Sequence, residues 1–325
     1  MKFTTFNQLP LYMDDFFMTH LDVLTKKDAL VIHNPKDALI ITPVLIRSHK
    51  SLEEHIEYIR NNNIKKAIVV AEDIRFISEC PSLEYLRVLP AIGASDFDYS
   101  PAYELPNLKW LCCCTTTGLD DEQVASVDYS QFKEVRRLSI HGYKGQHNVA
   151  LANNVISLIF DFGYPKANDL RNSFPTEKLR NFAISQAPIM SLSGIESAKQ
   201  LRRLELSYNR RLSDISALYS LRDTLACLEI EKCGKISDFS VLETLNNLEY
   251  LMLKGSNTLP DLTFLKNMPK LKYLHLTMNV ADGDLSLCEN LPYARIQNRK
   301  HYTHKDKDLP KNYSNPDEAY SFNEI

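Results

Sequence analysis

Glycine is scarce in this chain, with nine glycines among 325 residues. Loops that cradle phosphate groups need closely spaced glycines, and the sequence contains neither G-x-x-x-x-G-K-[ST] nor G-x-G-x-x-G. It also lacks H-E-x-x-H and G-x-S-x-G, the patterns of zinc-dependent peptidases and of serine hydrolases. The sequence therefore predicts no catalytic residues and no cofactor, and we expect a protein that is not an enzyme.

Long hydrophobic runs are also missing. The longest apolar stretch, residues 38–46, is interrupted by Thr42 and Pro43, whereas a membrane-spanning helix needs about 20 apolar residues. Residues 1–10 lack the apolar core of about 7 to 15 residues that marks a secretory signal peptide. We therefore expect no membrane association and a cytoplasmic location.

The chain has no large excess of charge of either sign, since it contains 38 Lys and Arg residues and 41 Asp and Glu residues. Bulk attraction to nucleic acid is therefore not expected. The seven cysteines show no paired spacing beyond the run Cys112–Cys114, and adjacent cysteines suit a reducing compartment better than a disulfide framework. A C-x-C zinc or redox pair in this run is the alternative interpretation, although no further ligands are evident.

The chain does contain a repeated pattern, L-x-x-L-x-L. Its clearest copies begin at Leu201, Leu225, Leu248 and Leu271, about 23 residues apart. Looser copies begin at Ile64, Leu83, Leu108, Val135, Val155, Leu179 and Leu291. This is the leucine-rich-repeat period. Alternation within each copy predicts a strand of a parallel sheet, with positions 1, 4 and 6 pointing inward.

The second half of each copy carries apolar residues at every third position, which favours a 3-10 helix. The segment Asn209-Arg-Arg-Leu-Ser-Asp-Ile-Ser-Ala-Leu218 resembles the N-x-x-L/I-x-D-I/L-x-x-L segment of the internalins. It is also similar to the phosphatase-regulator subclass of leucine-rich repeats. The resemblance implies an α/β solenoid that binds protein, with a curved parallel sheet and 3-10 or short helices on its convex side. Internalins are exported, and adhesion is not carried over because we find no export signal.

Three regions follow from this pattern. Residues 1–63 are predicted to be an N-terminal α/β cap. Its predicted helices cover 14–24 and Ser51 to Arg60, and its predicted strands cover 29–33 and 38–46. The alternative is that this region is a separate effector domain. Residues 64–298 are predicted to form the solenoid. Residues 299–325 are predicted to be a polar tail that is poorly ordered or covers the edge of the sheet. His301 and His304 lie in this tail at a metal-ligand spacing, but without further ligands we predict no metal site.

Positions 3 and 5 of each copy are predicted to lie on the concave face of the sheet, where a protein partner would bind. Tyr250, Tyr273 and Tyr293 fall in one column there, about 4.8 Å apart. Tyrosine and tryptophan dominate binding hot spots, although cross-strand packing or an ordinary solvated face would place the same residues there. The predicted contact residues are Trp110, Arg137, Arg203, Glu205, Glu229, Tyr250, Met252, Tyr273, His275 and Tyr293.

The sequence therefore favours a non-enzymatic, protein-binding module, with a bacterial inhibitor or immunity-type protein as one concrete form. The alternative is a cytoplasmic signalling scaffold or a regulatory subunit of an enzyme. A third hypothesis is an enzyme whose site lies in residues 1–63 or at the cysteine run. A dimer through an exposed end of the stack also remains open.

Overall fold

The structure is a computed structural model that describes residues 38–41, 52–71, 73–90, 97–114, 125–142 and 144–313. The chain divides into two compact units, residues 1–164 and 165–325, which are described separately below. The predicted helix over 14–24, the strand over 29–33 and residues 42–46 lie outside the described residues.

The first unit is built on parallel strands that pair in chain order. These strands are β1 (Ala38–Ile41), β2 (Lys66–Ala71), β3 (Tyr85–Pro90), β4 (Trp110–Cys114), β6 (Arg137–His141) and β8 (Ser157–Asp161). Two short strands, β5 (Val127–Asp128) and β7 (Gln146–His147), pair with each other. Among the described residues of this unit, the α-helices are α1 (Leu52–Asn61) and α2 (Ser100–Tyr103), and 3-10 helices cover Arg75–Glu79, Tyr129–Gln131 and Val149–Leu151.

The second unit repeats this design with greater regularity. Its parallel strands are β9 (Asn181–Ser185), β10 (Arg203–Ser207), β11 (Cys227–Glu231), β12 (Tyr250–Lys254), β14 (Tyr273–Leu276) and β16 (Tyr293–Ile296). The short strands β13 (Thr258–Leu259) and β15 (Asn279–Val280) form a separate pair. Its 3-10 helices are Ile195–Ser197, Ser216–Leu221, Ser240–Thr244, Thr263–Asn267, Ser286–Asn290 and Asp306–Asp308.

The register of the repeat confirms the predicted fold class, an α/β leucine-rich-repeat solenoid. Each copy of the pattern, from Ile64 to Leu291, contains a strand, and 3-10 helices follow the strands of the second unit as predicted. Leu204, Leu228, Leu251 and Leu274 pair in register and are fully buried. Burial of each such leucine contributes about 1.5 to 3 kcal/mol, so this inner column supplies much of the stability of the unit.

Aspartates precede four of the 3-10 helices of the second unit. Each accepts a hydrogen bond from the backbone N–H two residues later, at 2.7 to 2.9 Å, and the four residues are Asp214, Asp238, Asp261 and Asp284. Hydrogen bonds from the hydroxyl group and the backbone N–H of that later residue hold the pKa of each carboxyl group below its usual value. Serine and aspartate favour turns because their side chains hydrogen-bond to nearby backbone groups, and Ser213-Asp214 and Ser237-Asp238 occupy such turns here.

Asn209 follows β10 at position 9 of its copy, where the repeat favours asparagine. Its amide is fully buried; Oδ1 accepts from the Ala187 backbone N–H at 2.9 Å, and Nδ2 donates to the Ile184 carbonyl at 2.8 Å. In the copy that begins at Leu248, the pattern places Ser256 at this position, but the buried amide belongs to Asn257. The side chain that ties neighbouring repeats together is thus displaced by one residue there.

The ends of the described sheet differ from each other. The helix predicted from Ser51 to Arg60 is confirmed as α1, and β1 pairs in parallel with β2, so the sheet extends into the region predicted to be a cap. At the other end, Lys311 forms an antiparallel bridge with Tyr293, and the Ala294 N–H donates to the Pro310 carbonyl at 3.0 Å. Residues 299–313 therefore cover the edge of the last strand, and the exact domain boundaries stay a prediction. Within the described residues, every helix is too short or too polar to cross a bilayer.

Candidate functional site

The tyrosine stack, formed by Tyr250, Tyr273 and Tyr293, lies on the side of the sheet opposite the leucine column. The three residues are register partners on β12, β14 and β16. The ring centroids of Tyr250 and Tyr273 are 4.6 Å apart with 2° between the planes, and those of Tyr273 and Tyr293 are 4.7 Å apart with 7°. The predicted column is therefore present as an ordered ladder of parallel rings.

Most of this stack is buried. Tyr250 and Tyr273 are each 2% exposed and form an apolar cluster with Cys227. Met252, Tyr293 and Tyr313 pack around the cluster and are themselves only partly buried. Burial raises the pKa of the Tyr250 and Tyr273 hydroxyl groups. The two inner tyrosines therefore support the face, and the accessible part of the stack is its Tyr293 end.

A charged cluster, Arg203 with Glu205 and Glu229, adjoins the stack. Arg203 Nη2 lies 2.5 Å from Glu205 Oε1 and 2.8 Å from Glu229 Oε1, and the three side chains are 6%, 3% and 17% exposed. Burial opposes the charge on Arg203, but the two carboxylates outweigh it and raise the pKa of the guanidinium. Burial, reinforced by Glu205, raises the pKa of Glu229 to about 7 even though Arg203 opposes the shift.

The column at position 5 continues past this cluster with Met252, His275 and Arg295. Met252 and His275 are half-buried, and Arg295 is exposed. Burial of the imidazole, together with the cations Lys254 and Arg295, lowers the pKa of His275 to about 4, so the ring is neutral at physiological pH. The column therefore runs from carboxylates at Glu205 and Glu229 to a cation at Arg295.

Trp110 and Arg137 lie in the first unit, on β4 and β6. They are register partners, and the Arg137 guanidinium carbon is 5.6 Å from the centroid of the Trp110 ring. Tyr85 on β3 meets the same indole edge-on, with centroids 4.5 Å apart. Burial lowers the pKa of Arg137. The structure thus brings these two predicted contact residues together, while the other eight belong to the second unit.

A polar cluster in the first unit is missing from the predicted site. His141 on β6 and Asp161 on β8 are register partners, and His141 Nδ1 lies 3.6 Å from Asp161 Oδ2. The Cys112 thiol forms a hydrogen bond with the same imidazole. The repeat numbering could have revealed this cluster, because positions 5 and 7 of neighbouring copies project to the same side of the sheet.

The other cysteines and histidines that the sequence singled out have structural contacts. Cys113 points into the core, as predicted, and is fully buried, whereas the side chain of Cys114 lies outside the described atoms. In the tail, His301 Nε2 lies 3.0 Å from the Val280 carbonyl oxygen, and His304 Nε2 lies 2.7 Å from Glu289 Oε1. Among the described residues, no three His, Cys, Asp or Glu side chains are grouped to hold a metal ion.

Comparison with known proteins identifies fold relatives. No family model matches the sequence, and a search of curated proteins finds no significant match. Among solved structures, an internalin (inlF) from Listeria monocytogenes aligns with a TM-score of 0.52 at 17% identity, covering 93% of this chain and 95% of that one. Internalin C2 (inlC2) from the same organism has a TM-score of 0.41 at 24% identity, covering 57% of this chain and 83% of its own. The mouse RP105/MD-1 complex has a TM-score of 0.48 at 18% identity, with coverage of 72% and 45%. In its fold, the chain is an internalin-like leucine-rich-repeat protein.

Proposed function

We propose that this chain is a non-enzymatic protein-binding module. Its contact face is the side of the second unit that carries Glu229, Met252, His275, Tyr293 and Arg295, here called the outer face. The observation that supports this proposal is that partly exposed side chains pack against buried aromatic rings, which hold them in place. Tyr293 and Met252 pack on the buried rings of Tyr250 and Tyr273. That the outer face is the concave one is part of the proposal.

The support matters because binding costs less when side chains are already ordered. A tyrosine stacked on a buried neighbour, as Tyr293 is on Tyr273, loses little conformational freedom when a partner covers it. Buried aromatic anchors surrounded by polar groups are typical of binding hot spots. The outer face combines these features with Arg295, which is exposed.

The charges of the outer face favour a polar partner in one orientation. Negative charge lies at Glu231 and at Glu229, which is partly ionised near neutral pH, and cations lie at Lys254 and Arg295. His275 between them is neutral. A face that changes sign along its length fixes the register of a complementary protein surface. It also repels part of any uniform polyanion, which argues against nucleic acid as the partner.

The experiment is capture of partners from native lysate by the immobilised full chain, followed by mass spectrometry. The test variant carries Tyr293→Ala and Arg295→Ala, which leave the buried tyrosines in place. The matched control carries Tyr219→Ala and Arg222→Ala, a tyrosine and an arginine elsewhere on the second unit, with the guanidinium carbon 4.5 Å from the ring centroid. We expect the test variant to lose at least about 10-fold of the captured protein, equivalent to about 1.4 kcal/mol, and the control to keep it. Equal capture by both variants would contradict the assignment of the outer face.

The nature of the captured protein separates the finer proposals. A toxin-like enzyme that is silenced on binding supports an inhibitor or immunity-type role, whereas a resident enzyme that keeps its activity supports a scaffold or regulatory subunit. The proposal includes a cytoplasmic location. Support for it comes from the described cysteines, which are all free thiols, as expected for a reducing compartment.

A further inference from the structure

The first unit carries a second polar cluster, composed of Cys112, His141 and Asp161 with Arg87 and Ser139 beside them. The residues come from four neighbouring strands, β3, β4, β6 and β8. Arg87 pairs with Cys112, Cys112 with Ser139, and His141 with Asp161. Because neighbouring strands lie about 4.8 Å apart, the register alone brings a thiol, an imidazole and a carboxylate into reach of one another.

The side chains make contacts in the order thiol, imidazole, carboxylate. His141 Nδ1 lies 3.6 Å from Asp161 Oδ2, and His141 Nε2 lies 3.3 Å from Ser139 Oγ. The Cys112 thiol forms a hydrogen bond with the imidazole. The His141 and Asp161 side chains are 16% and 13% exposed, so solvent screens this cluster weakly. An imidazole held in this way can take a proton from the thiol while the carboxylate stabilises the resulting cation.

The surrounding charges favour the ionised thiol. Burial lowers the pKa of His141, and the charge of Arg87 acts in the same direction. Cys112, through its charge and its hydrogen bond, and Asp161 act in the opposite direction, and the net pKa of His141 lies above its usual value. Arg87 is a cation that faces Cys112 from β3 and is 1% exposed. Thiols beside histidine or arginine cations ionise more readily than free cysteine.

We propose that Cys112 is a thiolate paired with a protonated His141, that Asp161 orients the imidazolium, and that the cluster is a site of covalent modification by small soft electrophiles such as peroxides. In the peroxide reaction the sulfur attacks one oxygen, an S–O bond forms and the O–O bond breaks. The thiolate is oxidised to a sulfenic acid and the peroxide is reduced. The leaving hydroxide takes the proton of His141 and departs as water. Cys112 is 1% exposed, which restricts the reaction to small reagents.

Cys113 provides an internal control one residue away. It lies on the other side of the strand, is fully buried, and forms hydrogen bonds with Tyr99 and Tyr129. Burial raises its pKa well above the usual value. Cys113 should therefore remain a protonated and unreactive thiol under the conditions in which Cys112 reacts.

The ionisation state is tested by ultraviolet titration of thiolate absorbance in the native full chain. The difference between the wild type and Cys112→Ser should show one thiol that titrates at least about 1 pH unit below the usual value of about 8.5. His141→Asn should move that midpoint back toward about 8.5. A Cys112 midpoint at or above about 8.5 overturns the proposal, and so does a midpoint that His141→Asn leaves unchanged. If His141→Asn fails to fold, as judged by circular dichroism, the comparison of the wild type with Cys112→Ser alone tests the proposal.

Accessibility is tested by timed alkylation with iodoacetamide, in which an S–C bond forms and iodide leaves, followed by peptide mass spectrometry. Near neutral pH we expect Cys112 to react at least about 10-fold faster than Cys113 in the folded protein, as thiolate nucleophiles do. Equal rates at the two cysteines, or reaction only after unfolding, overturn the modification site.

Discussion

The rings of Tyr250 and Tyr273 stack in parallel, with their centroids 4.6 Å apart and only 2° between their planes. Together with Cys227 they form a small apolar core on the side of the sheet opposite the leucine column. Side chains on this face of the sheet therefore pack against one another, and part of the face is buried within the protein itself. This arrangement decides which variants test binding and which test stability.

Replacing Tyr250 should destabilise the fold. Tyr250→Ala removes a large side chain that is 2% exposed, and we expect it to lower the free energy of unfolding by about 3 to 5 kcal/mol, as for other large aromatics. Denaturant titration measures the loss. Tyr219→Ala is the matched control because that ring is 55% exposed, and it should change the free energy by no more than about 0.5 kcal/mol. Similar effects at both positions would contradict the proposed apolar core.

The second prediction concerns Arg203, which contacts Glu205 and Glu229. Arg203→Met leaves the buried Glu205 carboxylate and the half-buried Glu229 side chain without their cation, and we expect a loss of about 3 to 5 kcal/mol in the free energy of unfolding. Replacing all three residues with Met, Leu and Leu should recover most of this loss, because apolar side chains need no counter-charge. Denaturant titration of both variants makes the comparison. A triple variant as unstable as Arg203→Met would show that the arginine contributes mainly through packing.

The third prediction is a pH dependence that originates at Glu229. Its pKa is about 7 in the folded chain, against a usual value of 4.5, so the folded protein binds more protons than the unfolded one between these values. Stability should therefore fall as the pH rises through this range. Glu229→Gln mimics the protonated form and removes this dependence. We expect the variant to match the wild type near about pH 4, below the unfolded pKa, and to exceed it by on the order of 1 to 3 kcal/mol near about pH 8.

Thermal or chemical unfolding at a series of pH values measures this difference between the wild type and Glu229→Gln. Subtracting the two curves cancels groups that titrate in both proteins, including the aspartates at the 3-10 helices. A constant difference across the range would mean that Glu229 keeps an ordinary pKa.

The fourth prediction concerns Asn209. Asn209→Ala removes the partners of the Ala187 N–H and the Ile184 carbonyl, and each unsatisfied buried group costs about 1 to 3 kcal/mol. We expect the free energy of unfolding to fall by about 2 to 4 kcal/mol. Asn279 occupies the same position of a later copy but is half-buried and makes a long 3.5 Å bond to Thr258. Asn279→Ala should therefore cost less than about 1 kcal/mol in the same denaturant titration, and a larger cost there would contradict this ranking.

The repeat frame predicts the register well because a strand's side chains alternate with a fixed period. It correctly places Leu204, Leu228, Leu251 and Leu274 in one inner column, and it correctly aligns the tyrosines. It does not predict that Tyr250 and Tyr273 are buried, since periodicity specifies the side of the strand and says nothing about what packs over it. Part of that packing comes from Tyr313, which lies outside the repeat.

The remaining differences have local causes. The one-residue displacement from Ser256 to Asn257 follows Gly255, whose φ of 154° lies in a region that residues with a side chain rarely adopt. The Cys112, His141 and Asp161 cluster depends on positions 5 and 7 of three copies at once. A short sequence motif covers residues that are close together in the chain, so it does not detect a site whose residues come from separate strands.

The segment that lies along β16 also determines how the molecule can associate. The Pro310 carbonyl accepts from Ala294, and the Asn312 N–H donates to the Pro292 carbonyl, which occupies main-chain groups that another strand would need. Proline itself has no N–H to offer. A further strand could therefore pair with this edge of β16 only after residues 310–312 had left it.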